Sequence, residues 1–378
     1  MLRWLRSEKA RRFLILCGTC VCMGVHAEPF AFVPNMEDST VSVIDLASDS
    51  VVKTLAVGER PIGVTVANDG SKAYVASLVG RSVSVIDGRN LDVLITKPLD
   101  ISPKSIAVNS TQSRLYVAGR RVPVSQTQFG NEPAVLLVLE ANTLALLAEV
   151  PLENTGGSNV AVSPDDSQVW VTQGSYAVAV VDTARNAVSQ VITVQAGDLS
   201  PLTFGADPRV AYVAGSSNLI AVDVSSGLPK FQNTHMMAGR GSSGVALSAD
   251  GERAYLAREG LGLDVYGLDD QKRVSFVRTG EHPSGVAVHP DGSRIYVVNE
   301  TEDSVAVVDA KTLAVVNTIR VGKQPVGRGR FIQPPKPGAA VAAVASVVSV
   351  RKPWIWNIAL GVIALLAVFL VLRVFRSR

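Results

Sequence analysis

The most regular feature of the sequence is a short apolar segment, centred on an aromatic residue, that recurs about every forty residues. The seven centres are Phe32, Tyr74, Tyr116, Trp170, Tyr212, Tyr255 and Tyr296. Most copies continue with an alternating segment that ends in an acid, as in Val41–Asp45 and Val305–Asp309. A period of two predicts β-strands and argues against a helical solenoid.

The remainder of each repeat predicts two more strands. A third strand such as Val51–Val57 is followed by a Gly-x-x-Pro turn and a fourth strand such as Gly63–Val66. Asp-Gly pairs, for example Asp69–Gly70, then lead into the next aromatic strand and suit tight antiparallel reversals. The pattern therefore predicts an all-β fold, a seven-bladed β-propeller with four-stranded antiparallel blades.

The two ends of the repeat array are complementary. The first aromatic strand, at Phe32, has no inner strand before it, whereas the last copy ends in an inner strand, Pro325–Ile332, with nothing after it. We expect this last segment to complete the first blade, which would close the ring without a free sheet edge.

These elements resemble a known repeat family. Tyr-Val-x-Asn, Val-x-Val-Ile-Asp and Gly-x-x-Pro-x-Gly-Val-Ala-Val-x-Pro-Asp-Gly are best developed in Gly280–Asp309, and the match extends over nearly all of residues 30–333. They are similar to the YVTN-type propeller repeats of exported bacterial and archaeal proteins. The resemblance implies an exported seven-bladed propeller. Its relatives range from surface-layer proteins to accessories of quinoprotein dehydrogenases, haem d1-handling proteins and a nucleic-acid binder, so it selects no function.

The chain ends predict export and anchoring. Residues 1–27 combine basic residues, the apolar run Phe13–Leu16 and the small-residue ending Val25–Ala27, which is typical of a cleaved signal peptide. An uncleaved anchor is the alternative, but the apolar run is short for a bilayer span. The export route, Sec or twin-arginine, stays open.

The C-terminal apolar segment is long enough to cross a bilayer. Pro353–Leu372 carries no charge, and arginines follow it. We predict a propeller over 28–333, a Pro/Ala/Val-rich linker over 334–352, a transmembrane helix over 353–373 and a basic cytoplasmic tail over 374–378. The propeller would then lie in the periplasm, anchored in the inner membrane.

Cysteine and charge exclude several classes. Cys17, Cys20 and Cys22 all lie in the predicted signal, so the mature chain would have neither disulfides nor thiol chemistry. The net charge of +3 comes from the ends, since residues 28–350 contain 26 basic and 32 acidic residues, or −6. Bulk charge therefore does not support nucleic-acid binding.

Candidate binding residues cluster on one predicted face. In a propeller the turns before the inner strands and the loops after the aromatic strands share a face, called here the upper face. The turn residues there are Arg60, Lys104, Asn159, Arg240, His282 and Gln324. Such a basic ring could bind an anion or a partner's acidic patch, although exposed turns commonly carry charge. The longest loop, Arg120–Pro133, adds Arg120, Arg121 and Phe129 as a lid or binding element, or as tolerated drift.

Other groups suggest cofactors. His282 is the candidate for haem ligation or proton transfer, whereas His289 is expected to cap a reversal. The loops after the first and last aromatic strands carry five carboxylates that could bind calcium or simply form a solvated edge. They are Glu37, Asp38, Glu300, Glu302 and Asp303. Arg328 and Arg330 offer a neutralising alternative.

No catalytic motif is present: the sequence has no Gly-x-Ser-x-Gly, Walker loop or Cys-x-x-Cys-His. We therefore predict a monomeric, non-catalytic binding platform with no resident cofactor, which recruits a periplasmic protein or a small anion. One alternative is a redox accessory that handles haem or a quinone for a periplasmic dehydrogenase. A second is a lactonase-like hydrolase with a metal at the channel mouth.

Overall fold

The computed structural model describes residues 29–121, 134–153, 157–174, 176–194, 201–205, 207–215, 219–233, 241–258, 260 and 262–334. The predicted signal peptide, most of the predicted linker and the apolar C-terminal segment lie outside these residues, as do Phe129 and Arg240. In the described part, no helix has the length and apolar character needed to cross a membrane.

Within these residues, twenty-seven strands form seven antiparallel sheets, which are the seven predicted blades. Blades 1 to 4 contain β1 (Phe30–Asn35), β2 (Thr40–Asp45) and β3 (Ser50–Ala56); β4 (Pro61–Val66), β5 (Lys72–Ser77), β6 (Ser82–Asp87) and β7 (Val93–Pro98); β8 (Ile101–Val108), β9 (Arg114–Arg121), β10 (Ala134–Glu140) and β11 (Leu146–Pro151); β12 (Gly157–Val162), β13 (Gln168–Gln173), β14 (Ala177–Asp182) and β15 (Ala187–Thr193). Blades 5 to 7 contain β16 (Leu202–Phe204), β17 (Val210–Ala214), β18 (Leu219–Asp223) and β19 (Pro229–Asn233); β20 (Ser242–Leu247), β21 (Arg253–Arg258), β22 (Gly262–Gly267) and β23 (Arg273–Val277); β24 (Pro283–Val288), β25 (Arg294–Asn299), β26 (Ser304–Asp309) and β27 (Val315–Arg320).

The hydrophobic core lies between blades. The aromatic strands are buried, and their Val and Ala side chains pack against the adjacent blade as well as their own. Trp170 of blade 4 meets Phe204 of blade 5 edge-on, with ring centroids 5.6 Å apart. Because the middle strands of the blades are buried on both faces, they contain apolar residues at successive positions, whereas outermost strands such as β27 are largely exposed.

The acid that ends most of the alternating strands has a structural role, as blades 2, 4 and 7 show. The Asp87 carboxylate accepts hydrogen bonds from the backbone N–H groups of Arg89 and Asn90, at 2.8 and 2.7 Å. Asp182 and Asp309 bind the equivalent backbone groups in their own turns. Backbone donors lower the pKa of Asp87, so this carboxylate is ionised and caps the turn.

Ring closure occurs as predicted, with one difference in detail. Residues 325–333, called here the closing segment, run antiparallel to β1, but they pair with it only near the two ends, through Asn35–Pro325 and Ala31–Ile332. Between these bridges Arg328 pairs instead with Gly63 of blade 2. The first sheet therefore has three regular strands, and the closing segment takes the innermost place and joins two blades.

A glycine allows this departure from regular pairing. Gly329 has a φ of 102°, in the left-handed region, and a Cβ at this position would collide with the carbonyl oxygen of Val64. Beyond it, Phe331 is fully buried in the core shared by blades 1, 2 and 7. The bend at this glycine thus allows the buried Phe331 ring to hold the closing segment near its end.

We expect Gly329→Ala to weaken closure strongly. A matched control is Gly174→Ala, because Gly174 also has a left-handed φ, of 57°, but nothing lies within 4 Å of its added Cβ. The conformational cost alone predicts about 1–2 kcal/mol for the control, and the added clash raises the loss for Gly329→Ala to about 2–5 kcal/mol. Urea unfolding measures both values. Equal losses would show that the contact with Val64 is unimportant.

Candidate functional site

Three of the predicted upper-face residues share one backbone role. Arg60, His282 and Gln324 each precede an inner strand and have a left-handed φ, of 52°, 49° and 48°. The carbonyl of each accepts a hydrogen bond from the first residue beyond an aromatic strand. The donors are Leu78, Glu300 and Met36, at 2.9, 3.0 and 2.9 Å. These contacts confirm that the two kinds of loop meet on one face, and they place the three residues in equivalent turns.

Lys104 lies in a different position from these turn residues. It is the bulge residue of β8, because Pro103 pairs with Gly119 and Ser105 pairs with Ala118. The equivalent bulges of blades 6 and 7 hold serines, whose hydroxyls donate to proline carbonyls of the next blade: Ser243 to Pro283, and Ser284 to Pro325 at 2.9 Å. Blade 3 therefore has a lysine at the position where blades 6 and 7 have a small side chain that bonds to the next blade.

Lys104, Arg120 and Arg328 form what we call the upper cationic cluster. Burial lowers the pKa of the Lys104 ammonium, and the positive charges of Arg120 and Arg328 lower it further. The Nε of Arg120 is buried without a hydrogen-bond partner. None of the three forms a salt bridge within the described residues. Three half-buried cations without a counter-ion favour binding of an anion.

The cluster lies at the base of the longest predicted loop. Arg120 is near the end of β9 and pairs with Ala134, the first residue of β10. The intervening residues 122–133, including Phe129, lie outside the described residues. Arg121 is separated from the cluster, because its guanidinium contacts Asp100 at 3.3 Å and also the Glu149 carboxylate. Of the two adjacent arginines, the structure therefore brings only Arg120 to Lys104.

The five acidic candidates do not gather into one site. Asp38 accepts a hydrogen bond from the backbone N–H of Lys323 at 2.8 Å, and Asp303 accepts one from that of Gln324 at 2.9 Å. These two carboxylates, from blades 1 and 7, hold the two residues that precede the closing segment. Among the described residues, no group of three or more His, Cys, Asp or Glu side chains is arranged to hold a metal ion.

The two described histidines differ in environment. His289 is buried, its Nδ1 lies 2.6 Å from Asp291 Oδ1, and its carbonyl accepts the N–H of Gly292. The expected reversal cap is therefore confirmed. His282 is half-buried on the upper face, and its role in haem ligation or proton transfer stays a prediction.

Lys104 and Arg120 are among the binding residues predicted from the sequence, but their association with Arg328 was not predicted, because Arg328 was assigned to the acidic loops. The carbonyl of Arg328 accepts the N–H of Val64 at 3.0 Å, so this residue is held against blade 2, beside the β8 bulge of blade 3. The available signal was the alignment of Gln324–Gly327 with Arg60–Gly63, which places the closing segment next to β4.

Comparisons with known proteins support the fold but identify no function. No family model matches the sequence, and no curated protein matches it either. The resemblance to YVTN-type repeats therefore stays a prediction. Solved structures do match, and 1735 chains do so, which means that a shared fold selects no activity here.

Two of these structures match most of this chain. A chain of the Kuenenia stuttgartiensis hydrazine synthase structure is similar with a TM-score of 0.62 and 19% identity, covering 75% of this chain and 96% of that one. A functionally unknown protein from Desulfotomaculum acetoxidans DSM 771 is similar with a TM-score of 0.68 and 14% identity, covering 81% and 99%. At these identities both show the propeller fold alone.

The electrostatic coupling inside the cluster is testable by acylation of Lys104. A lowered pKa means that more of the amine is neutral, and therefore reactive, at a given pH. We expect Arg328→Gln to raise the pKa of Lys104 and to move its labelling profile, read by peptide mass spectrometry, to higher pH. Arg89→Gln removes an exposed charge elsewhere and is the control. Superimposable profiles for wild type and Arg328→Gln would contradict the proximity of the two cations.

Proposed function

We propose that this protein is a non-catalytic binding platform whose upper cationic cluster captures an anionic group, carried by a small ligand or by an acidic segment of a partner protein. The observation that carries the proposal is the accumulation of Lys104, Arg120 and Arg328 without a counter-ion in the described residues. Partly buried cations bind anions more strongly than exposed ones, because water and salt screen them less.

The proposal includes the predicted location in the periplasm, with a C-terminal transmembrane anchor, and membership of the YVTN-type repeat proteins. The position where the described chain ends supports the arrangement. The Gln333 side chain donates to the carbonyls of Gly70 and Gly88, at 2.8 and 2.9 Å, in the turns on the face opposite the cluster. A membrane anchor that follows Pro334 would therefore leave from the lower face, and the upper cluster would remain accessible to partners.

The test is a titration of the full chain, held in phosphatidylcholine nanodiscs, with inorganic pyrophosphate and separately with a short poly-glutamate peptide. Removing one charge-assisted hydrogen bond is expected to weaken binding by about tenfold or more. We therefore expect Arg328→Gln to weaken binding of the preferred probe by about tenfold, and the triple variant Lys104→Gln, Arg120→Gln, Arg328→Gln to abolish it.

The control for this titration is Arg89→Gln, which removes the same charge from an exposed turn and should leave binding within about twofold. Preference for pyrophosphate indicates a small-anion site, and preference for the peptide indicates a protein partner. Unchanged binding in the triple variant, or equal loss in Arg89→Gln, would refute the assignment of the cluster as the anion site.

A further inference from the structure

A second candidate site lies in the central channel of the propeller, which the inner strands surround, below the upper cationic cluster. A cavity of about 650 Å³ extends along the later halves of the inner strands and the turns that follow them. Its volume falls within the range of small-molecule sites. Much of its wall is apolar, with Ile106, Val160, Phe204, Val245, Val288 and Ile332 among the lining residues.

Among the described lining residues, Arg330 is the one cation. Nη2 of Arg330 donates to the carbonyl of Val66 at 2.9 Å and also contacts the Asn68 side-chain oxygen. Its Nε and Nη1 have no acceptor in the part of the chain that the structure describes, and the side chain remains exposed within the channel. Burial by the surrounding protein lowers the pKa of Arg330, but an arginine stays charged at every physiological pH.

The single carboxylate in the described lining is already engaged. Asp166 accepts the backbone N–H of Ser110 at 2.8 Å and its hydroxyl at 2.6 Å, and Thr111 N–H lies 3.4 Å away. These bonds join blades 3 and 4, and each carboxylate oxygen accepts at least one of them. No salt bridge to Arg330 is present among the described residues. The cavity therefore pairs an apolar wall with one cation that lacks a counter-ion.

We propose that this lower cavity binds a monocarboxylate with an apolar body, whose carboxylate accepts hydrogen bonds from Arg330 and whose body packs on the apolar wall. An amphiphilic acid satisfies both halves of the cavity, because its charge supplies the missing counter-ion and its apolar part is removed from water. An inorganic anion would leave the wall hydrated, and a neutral apolar molecule would leave the guanidinium without an acceptor. This site is separate from the upper cluster and does not depend on the function proposed for it.

The test compares 4-phenylbutyrate with 4-phenylbutan-1-ol, which has a similar body without the charge, by calorimetric titration of the full chain in phosphatidylcholine nanodiscs. We expect the acid to bind more tightly than the alcohol. Arg330→Gln should weaken the acid by about tenfold and change the alcohol by less than about twofold. Arg330→Lys should retain part of the preference for the acid.

Two further variants keep this test decisive. Arg328→Gln alters the upper cluster and should leave phenylbutyrate binding unchanged, whereas Arg330→Gln should leave pyrophosphate binding unchanged. Ala161→Leu fills the cavity wall at β12 of blade 4, whereas Arg330 belongs to the closing segment, so the substitution should weaken both phenyl compounds and separates the outcome from a folding defect at Arg330. Equal affinity for acid and alcohol, no binding of the acid, or no effect of Ala161→Leu would overturn the proposal.

Discussion

The structure depends on the pairing of the closing segment with β1, two parts of the chain about as far apart in sequence as the fold allows. The backbone N–H of Phe32 donates to Phe331 at 2.8 Å, and that of Val326 donates to Pro34 at 2.8 Å. Gln333 links blades 1 and 2 further, because its side chain accepts the N–H of Phe30 and donates to carbonyls of blade 2. These bonds turn an open array of blades into a ring, which removes the exposed edges that an open array would present.

Closure also supplies one cation to each of the two proposed sites. Arg328 and Arg330 lie two residues apart on the closing segment, separated by the left-handed Gly329. Arg328 joins Lys104 and Arg120 in the upper channel, and Arg330 lines the cavity below. The segment that completes the ring thus gives the channel chemistry at two levels, while the inner strands contribute mainly small and apolar side chains.

A network at the same seam shows how neighbouring blades are joined beyond the core. Asp49 of blade 1 accepts hydrogen bonds from Arg294 and from the Tyr296 hydroxyl of blade 7, both at 2.7 Å. Burial raises the pKa of Tyr296, and the Asp49 carboxylate raises it further, so the hydroxyl remains a donor at neutral pH. Blades 1 and 7 are therefore fixed by side chains as well as by the closing segment.

The blade count, the strand order and the closure followed from sequence because they depend on local periodicity and on turn chemistry, such as the acid at Asp87. The residues of the cationic cluster did not follow as a set. The sequence pattern grouped Lys104 with Arg60 as a turn residue, but Lys104 lies in a bulge of β8. The direction of its side chain depends on how β8 pairs with β9 and not on the residues next to it in sequence. The position of Arg328 depends on the bend at Gly329, which local sequence does not reveal. Side-chain association across blades is a property of the closed ring, which local patterns do not encode.

Anomalous scattering from crystals of the protein soaked in bromide would locate the positive charge that lacks a counter-ion. We predict an ordered bromide in contact with Lys104, Arg120 and Arg328, because these cations are partly buried and form no salt bridge within the described residues. Ordered bromide at other positions on the surface, with none at this cluster, would contradict the assignment of the upper cationic cluster as an anion site.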